Sequence, residues 1–375
     1  MSARITEWRR RALLVLGAMI AAVILFEAAV KIAGVDYNLS HNWKFHPVLG
    51  WSQIPNGRYW YQNPIGLVTI EFNSSGFRDV EHAKTKKPGV KRIVLIGDSF
   101  CEAVQVNLYD TFFRRLQDKL GDGWEIINLG VGDFGSANEW LALTRIGLDY
   151  SPDVVIQEIF PLNDVCNNSV ELYDVCGSGN DQYRPYFVES GGELTLTSAQ
   201  PVRNFLRRHL ASYGVLERAL TSKRTDDPYK RWLRFTSQGM TVQPTLGSFA
   251  SDATQHPAVA RAWALTEKIL EKTAALCKEK NIVYLPVVFP FEAELGDWQG
   301  VTEPFPRVDL VVDYPEVRLG RLFSRLGVPS VMLRDALLPH ADEVLPYVDG
   351  HLNVAGHRVS ADAIYAKLVA LGLVK

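Results

Sequence analysis

From residue 92 onward, short apolar runs alternate with segments of helical periodicity. The apolar runs have the length and continuity of buried parallel strands; the first three are RIVLIG (92–97), WEIINLG (124–130) and PDVVIQEIF (152–160). Amphipathic segments follow them, the longest at 257–280 and the last at 354–371. Alternating strands and helices predict an α/β fold with a doubly wound parallel sheet and right-handed crossovers.

Two further regions have a different pattern. Residues 36–90 are rich in aromatic side chains and are broken by glycine and proline, with TIEF as a strand and PNG and NSSG as turns. We expect a β-rich lead-in there, followed by a main domain over 91–375. Residues 165–255 are polar and irregular, which predicts an insertion with a helical segment near 201–222.

The N-terminus, residues 1–35, resembles a membrane-targeting segment. Arg9, Arg10 and Arg11 precede an uncharged stretch from Ala12 to Phe26. A cleaved signal peptide also begins in this way, but no clean small-x-small cleavage site follows. An uncleaved signal anchor fits better, and the positive-inside rule then leaves the arginines in the cytoplasm. The expected location is the inner membrane, as a single-pass protein with its main domain in the periplasm or exterior.

Composition narrows the possible partners. The chain has 375 residues and a formal net charge of -2, and its only cluster of basic residues is at the N-terminus. Nucleic acid is therefore not an expected partner, because phosphate binding leaves a cationic footprint.

The cysteines agree with an exported domain. Cys166 and Cys176 lie in a polar segment and are candidates for a disulfide. Cys101 and Cys277 are expected to be free. No cysteine or histidine spacing resembles a zinc site, so no metal and no cofactor are expected.

Candidate chemistry lies where strands end. Three segments follow directly after predicted strands and a fourth opens the last helix: GDSF (97–100), NLGVGDFGS (128–136), PLND (161–164) and VDGHLNVAGH (348–357). In doubly wound sheets, ligand-binding groups gather at the carboxyl ends of the strands. Together the segments supply a nucleophile, a base, an orienting carboxylate and oxyanion donors.

Each segment also has a purely structural interpretation. Ser99 has the residue type of a helix N-cap. Asn163 and Asp164 have the residue types of a turn. Asp349 could cap the last helix, with His351 as a surface imidazole. The order and placement of all four segments favour the catalytic interpretation.

The set resembles the SGNH/GDSL hydrolase superfamily over residues 90–375. The resemblance implies a flavodoxin-like three-layer fold in which Ser99 attacks the acyl carbon, His351 transfers the proton and Asp349 orients the imidazole. It implies oxyanion donors from the Ser99 N–H, the Asn163 amide and a backbone N–H of the second segment, at Gly132 or Asp133. The anchor and the lead-in resemble those of membrane-anchored bacterial members associated with cell-surface polysaccharide.

The chain departs from the superfamily pattern at two places. Asp133 occupies the second-segment position where a glycine is usual, which leaves the second donor open. The acid and base are spaced Asp349-Gly350-His351, as in alginate O-acetylation proteins, rather than as DxxH. Cys101 stands where the GxSxG elbow of α/β-hydrolases has glycine, and its surroundings do not suggest an activated thiol.

The expected function is therefore an exported, membrane-anchored serine esterase that cleaves O-acyl, most simply O-acetyl, esters on cell-surface glycans. Two alternatives remain open: an O-acetyltransferase that passes the acyl group to a glycan hydroxyl, and a non-catalytic scaffold of the same fold. The partners implied are a glycan or another acylated small molecule, the membrane, and a membrane acyl-donor protein. Trp43, Trp51, Trp60 and Tyr61 are either stacking platforms for sugars or core residues.

Overall fold

A computed structural model describes residues 2–33, 43–172, 183–198, 200–221 and 244–374. The strands in chain order are β1 Trp43–His46, β2 Gly50–Gln53, β3 Arg58–Asn63, β4 Gly66–Glu71, β5 Lys91–Ile96, β6 Trp124–Asn128, β7 Val154–Ile159, β8 Pro185–Ser190, β9 Glu193–Ser198, β10 Val283–Val288 and β11 Val331–Met332.

The α-helices are α1 Ser2–Ile32, α2 Ser99–Glu102, α3 Phe112–Leu120, α4 Ser136–Arg145, α5 Pro161–Asn167, α6 Pro201–His209, α7 Ala211–Thr221, α8 Pro244–Gly247, α9 Pro257–Glu279, α10 Glu292–Leu295, α11 Trp298–Thr302, α12 Tyr314–Leu326, α13 Leu333–Leu337, α14 Ala341–Val344 and α15 Val354–Ala370.

Five parallel strands form the central sheet in the order β11-β10-β7-β5-β6. Numbered along the main domain this is the order 2-1-3-4-5 of flavodoxin-like sheets, whose ligand sites lie at the switch point between the first and third strands. Those strands are β5 and β7, so the segments GDSF and PLND, which follow them, lie on the two sides of the switch point. The predicted α/β fold with a doubly wound parallel sheet is confirmed.

Helices cover both faces of the sheet. On one face α3 and α15 pack together, burying Phe112 and Leu116 against Ile364 and Leu368. On the other face, α4 and α9 bury their apolar stripes against the strands. Burial on both faces explains why the strands are continuously apolar instead of alternating.

The lead-in consists of two antiparallel hairpins, β1–β2 and β3–β4. Residues 69–71 of the predicted strand TIEF lie in β4, the predicted turn PNG lies directly before β3, and the predicted turn NSSG follows β4. Trp51 of β2 is fully buried, and its Nε1 donates to the Gly132 carbonyl at 3.1 Å. The lead-in is thereby fixed to the loop that follows β6.

Two segments carry more regular structure than a loop. PLND, for which a turn is the purely structural alternative, opens helix α5 with a proline in its first turn, where the missing N–H has no cost. In the segment predicted as an irregular insertion, helices α6 and α7 lie at the predicted helical stretch near 201–222, and the hairpin β8–β9 was not predicted.

The N-terminal helix α1 contains a 27-residue span, Thr6–Ile32, that is long and apolar enough to cross a membrane. Such a span is also found in signal sequences. Cys166 is disulfide-bonded, whereas Cys101 and Cys277 are free. Cys176, the predicted partner of Cys166, lies outside the described residues.

Candidate active site

Ser99 is the first residue of helix α2, directly beyond the carboxyl end of β5. The side chain of Asp98 caps this helix by accepting from the Phe100 N–H at 2.8 Å. The purely structural interpretation of Ser99 as the N-cap is therefore wrong. Since Asp98 satisfies the helix end, the Ser99 hydroxyl is left for another partner.

That partner is His351. Its Nε2 lies 2.7 Å from Ser99 Oγ, across 252 residues of sequence. The imidazole ring packs on Phe100, with ring centroids 4.9 Å apart. A backbone bridge between Val348 and His351 fixes the loop that carries the histidine. The serine hydroxyl and the imidazole are therefore within direct hydrogen-bonding distance, as a nucleophile and its general base must be.

The carboxylate of Asp349, which was expected to orient the imidazole, contacts a different side chain. His351 Nδ1 faces the main-chain carbonyl of Asp349 at 2.8 Å, whereas the Asp349 carboxylate accepts from the Tyr61 hydroxyl at 2.7 Å. Asp349 has a φ of +51°, and its carbonyl, not its carboxylate, faces the imidazole. The structure thus brings Asp349 to the site but assigns the Nδ1 contact to its backbone.

Gln105 is a second neighbour of Nδ1, with Nε2 at 3.1 Å. If Nε2 of His351 accepts the serine proton, Nδ1 carries a hydrogen, and an amide oxygen is then its better partner. Gln105 Oε1 is buried and lacks a hydrogen-bond partner within the described part of the chain. Turning the amide presents Oε1 to the Nδ1 hydrogen as an acceptor, because oxygen and nitrogen of an amide are interchangeable in shape.

Burial lowers the pKa of His351 below its ordinary value of 6.5, and this effect outweighs the carbonyl of Asp349 and the negative charge of Asp98. A neutral imidazole is the form that can take a proton from serine. The site is accordingly prepared for general-base chemistry at neutral pH.

Two of the expected oxyanion donors, the Ser99 N–H and the Asn163 amide, follow the neighbouring strands β5 and β7. The Ser99 N–H is at the first position of its helix, where backbone N–H groups lack an intrahelical acceptor. Asn163 Nδ2 donates one hydrogen to Asp98 Oδ2 at 2.6 Å. A primary amide has two hydrogens, so the other remains for a ligand.

The loop after β6 corrects one expectation. The Gly132 N–H donates to the buried carboxylate of Glu102, so Gly132 is not placed as an oxyanion donor. The neighbouring Asp133 has its carboxylate 3.3 Å from Arg184 Nη2, and its carbonyl accepts from the same guanidinium at 2.7 Å. The guanidinium of Arg184 thus offsets the negative charge of the Asp133 carboxylate.

Two further reactive side chains, those of Cys101 and His357, are not at the candidate reaction centre. Cys101 is fully buried, and burial raises its pKa well above the ordinary thiol value, which keeps it a neutral thiol. His357 is buried on α15, where its Nδ1 accepts from the Phe112 N–H at 3.2 Å. Burial lowers the pKa of His357 to about 3.

The aromatic residues of the lead-in are expected to be either stacking platforms for sugars or core residues, and the structure distinguishes them. Trp51 is a core residue, and Trp43 packs against it with ring centroids 6.3 Å apart. Trp60 is 67% exposed. Tyr61, on the opposite side of β3, is the residue that reaches Asp349.

Sequence reasoning did not find Tyr61 or Gln105 as neighbours of the base, nor Glu102 as the acceptor for the Gly132 N–H. A hydroxyl or amide outside a motif has no spacing pattern that marks it. No group of three or more His, Cys, Asp or Glu side chains in the described ranges could hold a metal ion.

No protein-family model matches this chain, and no curated protein matches it in sequence. Solved structures do resemble it. One is an acetyl xylan esterase, 14% identical over 73% of this chain and 98% of its own, with a TM-score of 0.38. A second is a lipase/acylhydrolase from Enterococcus faecalis, 13% identical over 76% of this chain and 98% of its own, with a TM-score of 0.39. A third is a GDSL-like lipase from Bacteroides thetaiotaomicron, 12% identical over 77% of this chain and 93% of its own, with a TM-score of 0.36. Roles for individual residues therefore depend on the geometry of the site.

Proposed function

We propose that this protein is a serine esterase in which Ser99 is the nucleophile and His351 the general base. The observation that carries the proposal is the 2.7 Å contact between His351 Nε2 and Ser99 Oγ at the switch point of the sheet. The depressed pKa of His351 supports it, because the imidazole is then neutral when the serine must lose its proton.

The reaction follows from these positions. Ser99 Oγ attacks the acyl carbon while His351 Nε2 takes the hydroxyl proton, and the alcohol leaves with that proton. Water then attacks the acyl-enzyme and releases the acid. The Ser99 N–H, the Asn163 amide and the Asp133 N–H are the proposed donors to the tetrahedral oxyanion. Loss of one such donor costs about 3 kcal/mol of transition-state stabilisation.

We propose O-acetyl groups of cell-surface glycans as the substrate class. The support is the spacing of Asp349-Gly350-His351 together with the aromatic lead-in, which resemble those of glycan O-acetylation proteins. Transfer to a sugar hydroxyl uses the same residues and differs only in the acceptor that reaches the acyl-enzyme.

We propose that α1 anchors the protein in the inner membrane, with the catalytic domain on the periplasmic side. The support is the length and hydropathy of Thr6–Ile32 and the arginines that precede its apolar part, which favour a cytoplasmic N-terminus.

The test is turnover of p-nitrophenyl acetate by the full chain in detergent, with Ser99→Ala and His351→Ala compared with wild type. Both variants should lose roughly a thousandfold or more of kcat, because neither residue is effective without the other. Ser324→Ala and His340→Ala are matched controls, since Ser324 is exposed on α12 and His340 contacts only Glu343 among the described side chains.

Labelling by a fluorophosphonate gives a second readout, because it reports an activated serine without requiring the natural acyl group. The reagent should modify wild type and the His340→Ala control but not Ser99→Ala. Turnover that survives in Ser99→Ala would exclude Ser99 as the nucleophile. Addition of candidate sugars to the same assay distinguishes transfer from hydrolysis by the product formed.

A further inference from the structure

The last turns of α1 are seated on the catalytic domain. Glu27 Oε1 and Oε2 accept from the backbone N–H groups of Ala211 and Ser212, each at 2.9 Å. Lys31 Nζ lies 3.1 Å from the same carboxylate. Within the described part of α1, Val30 is the buried hydrophobic residue, while the apolar side chains nearer the N-terminus are exposed.

This contact has a clear electrostatic basis. Ala211 and Ser212 begin α7, and the first N–H groups of a helix lack intrahelical acceptors and carry a partial positive charge. A carboxylate at the end of an apolar span is costly unless it is paired. Glu27 is paired by α7 and Lys31, so the start of α7 is fixed at the level of Glu27, directly after the uncharged stretch from Ala12 to Phe26.

Next to this contact, α6 and α7 expose apolar side chains to solvent. Val202 is 71% exposed, Phe205 61% and Leu216 51%. Val202 and Leu216 line a groove of about 590 Å³ between the two helices, together with Leu206 and Tyr213. Phe205 is one turn from Val202 and therefore on the same side of α6.

Basic groups accompany this apolar surface. Arg208 is exposed in the last turn of α6, and the side chain of Lys31 is 61% exposed at the end of α1. Exposed apolar side chains beside cationic ones are typical of helices that lie in the interface of an anionic bilayer.

We propose that α6 and the start of α7 form a membrane-docking surface that inserts Val202, Phe205 and Leu216 at the boundary of headgroups and acyl chains. The occupant is the bilayer that holds α1, because the Glu27 contact makes this surface continuous with the end of the span. The inference rests on the proposed membrane anchor and adds that the catalytic domain works against the membrane surface.

The experiment uses the full chain in nanodiscs of phosphatidylcholine and phosphatidylglycerol. Phe205→Cys carries an NBD fluorophore, and Val202→Cys is a second labelled position in case the first impairs folding. Val317→Cys is the matched control, an exposed apolar residue on α12. The free cysteines Cys101 and Cys277 are buried, and labelled wild-type chain gives the background. Lipids with doxyl groups on their acyl chains serve as quenchers.

NBD at position 205 or 202 should lose most of its emission to the doxyl lipids and shift to shorter wavelength, while position 317 keeps its emission. If the chain co-elutes with nanodiscs but positions 202 and 205 are not quenched, or position 317 is quenched equally, the docking surface is overturned. The proposal that α1 anchors the protein then still stands. A chain that elutes apart from the nanodiscs overturns the anchor and the docking surface together. Neither readout depends on esterase activity, so the outcome is separate from that of the Ser99 test.

Discussion

The Tyr61 hydroxyl donates to Asp349 Oδ2 at 2.7 Å, across 288 residues of sequence, and so links the lead-in hairpin to the loop of the base. The lead-in therefore contacts the loop that carries His351. The contact also occupies the carboxylate that the resemblance assigns to the imidazole. His351 instead has a backbone carbonyl and Gln105 at Nδ1.

Asp349→Asn tests whether the carboxylate acts on the imidazole. Loss of a carboxylate that contacts the histidine costs about 10⁴-fold in kcat in a Ser-His-Asp triad. Here the carbonyl of residue 349 makes the contact, and asparagine tolerates the φ of +51°. We expect Asp349→Asn to lose only about tenfold in kcat, through weakened hydrogen bonding to Tyr61.

Steady-state kinetics of Asp349→Asn and wild type with p-nitrophenyl acetate measure this loss. Asp122→Asn is a matched control on an exposed turn after α3. A loss near 10⁴-fold would show that the carboxylate leaves Tyr61 and reaches Nδ1 during the reaction.

Tyr61→Phe removes the hydroxyl and keeps the ring. The loop around Asp349 then loses one hydrogen bond to a charged group, so kcat should fall about fivefold to tenfold while KM changes little. Tyr109→Phe is the control, since Tyr109 is 70% exposed on a short turn before α3. If Tyr61→Phe keeps the wild-type kcat, as the Tyr109→Phe control should, the lead-in has no part in catalysis.

The sheet and the pair Ser99–His351 were predictable because they depend on local patterns. Buried parallel strands are continuously apolar, and the ends of such strands meet at one edge of the sheet. Ser99 follows the first strand and His351 precedes the last helix, so the topology alone brings both residues to that edge.

The finer contacts were not predictable, because they depend on how distant segments pack. Asp98, and not Ser99, caps helix α2 because of the φ and ψ angles of one residue, and the residue types do not determine these angles. The occupation of the Gly132 N–H by Glu102 depends on the approach of α2 to the loop after β6. Neither effect has a periodicity or a spacing in the sequence.

The pH profile of kcat/KM reports the base. Since burial lowers the pKa of His351 from 6.5, wild-type activity should fall on the acid side with a midpoint below pH 6.5. Gln105→Glu places a carboxylate near Nδ1, which favours the charged imidazole and should move that midpoint upward by about one pH unit. The base form is then lost at a higher pH as acid is added.

Gln62→Glu is the control for this charge change, because Gln62 is exposed on β3 and contacts the Asn63 carbonyl. Its acid midpoint should match that of wild type. An acid limb that stays in place for Gln105→Glu would mean that Gln105 does not face the imidazole in the working enzyme.

The buried carboxyl of Glu102 should make the protein less stable as pH rises. Burial raises its pKa from 4.5 to about 7, against the lowering effects of the Gly132 N–H and Arg78. A raised pKa means that the folded state holds a proton that the unfolded state releases. The contribution is therefore fully present below pH 4.5 and is lost as pH rises through about 7; a shift of this size corresponds to about 3 kcal/mol.

Glu102→Gln is a neutral replacement of the same shape and removes this proton linkage. Its Tm should fall less than that of wild type between about pH 5 and about pH 8, when both are followed by circular dichroism. Glu71→Gln is the matched control, since the Glu71 side chain is 63% exposed and its pH dependence should equal that of wild type. Parallel Tm curves for Glu102→Gln and wild type would mean that folding does not raise the pKa of Glu102, so that the Gly132 N–H donates to an ionised carboxylate over this pH range.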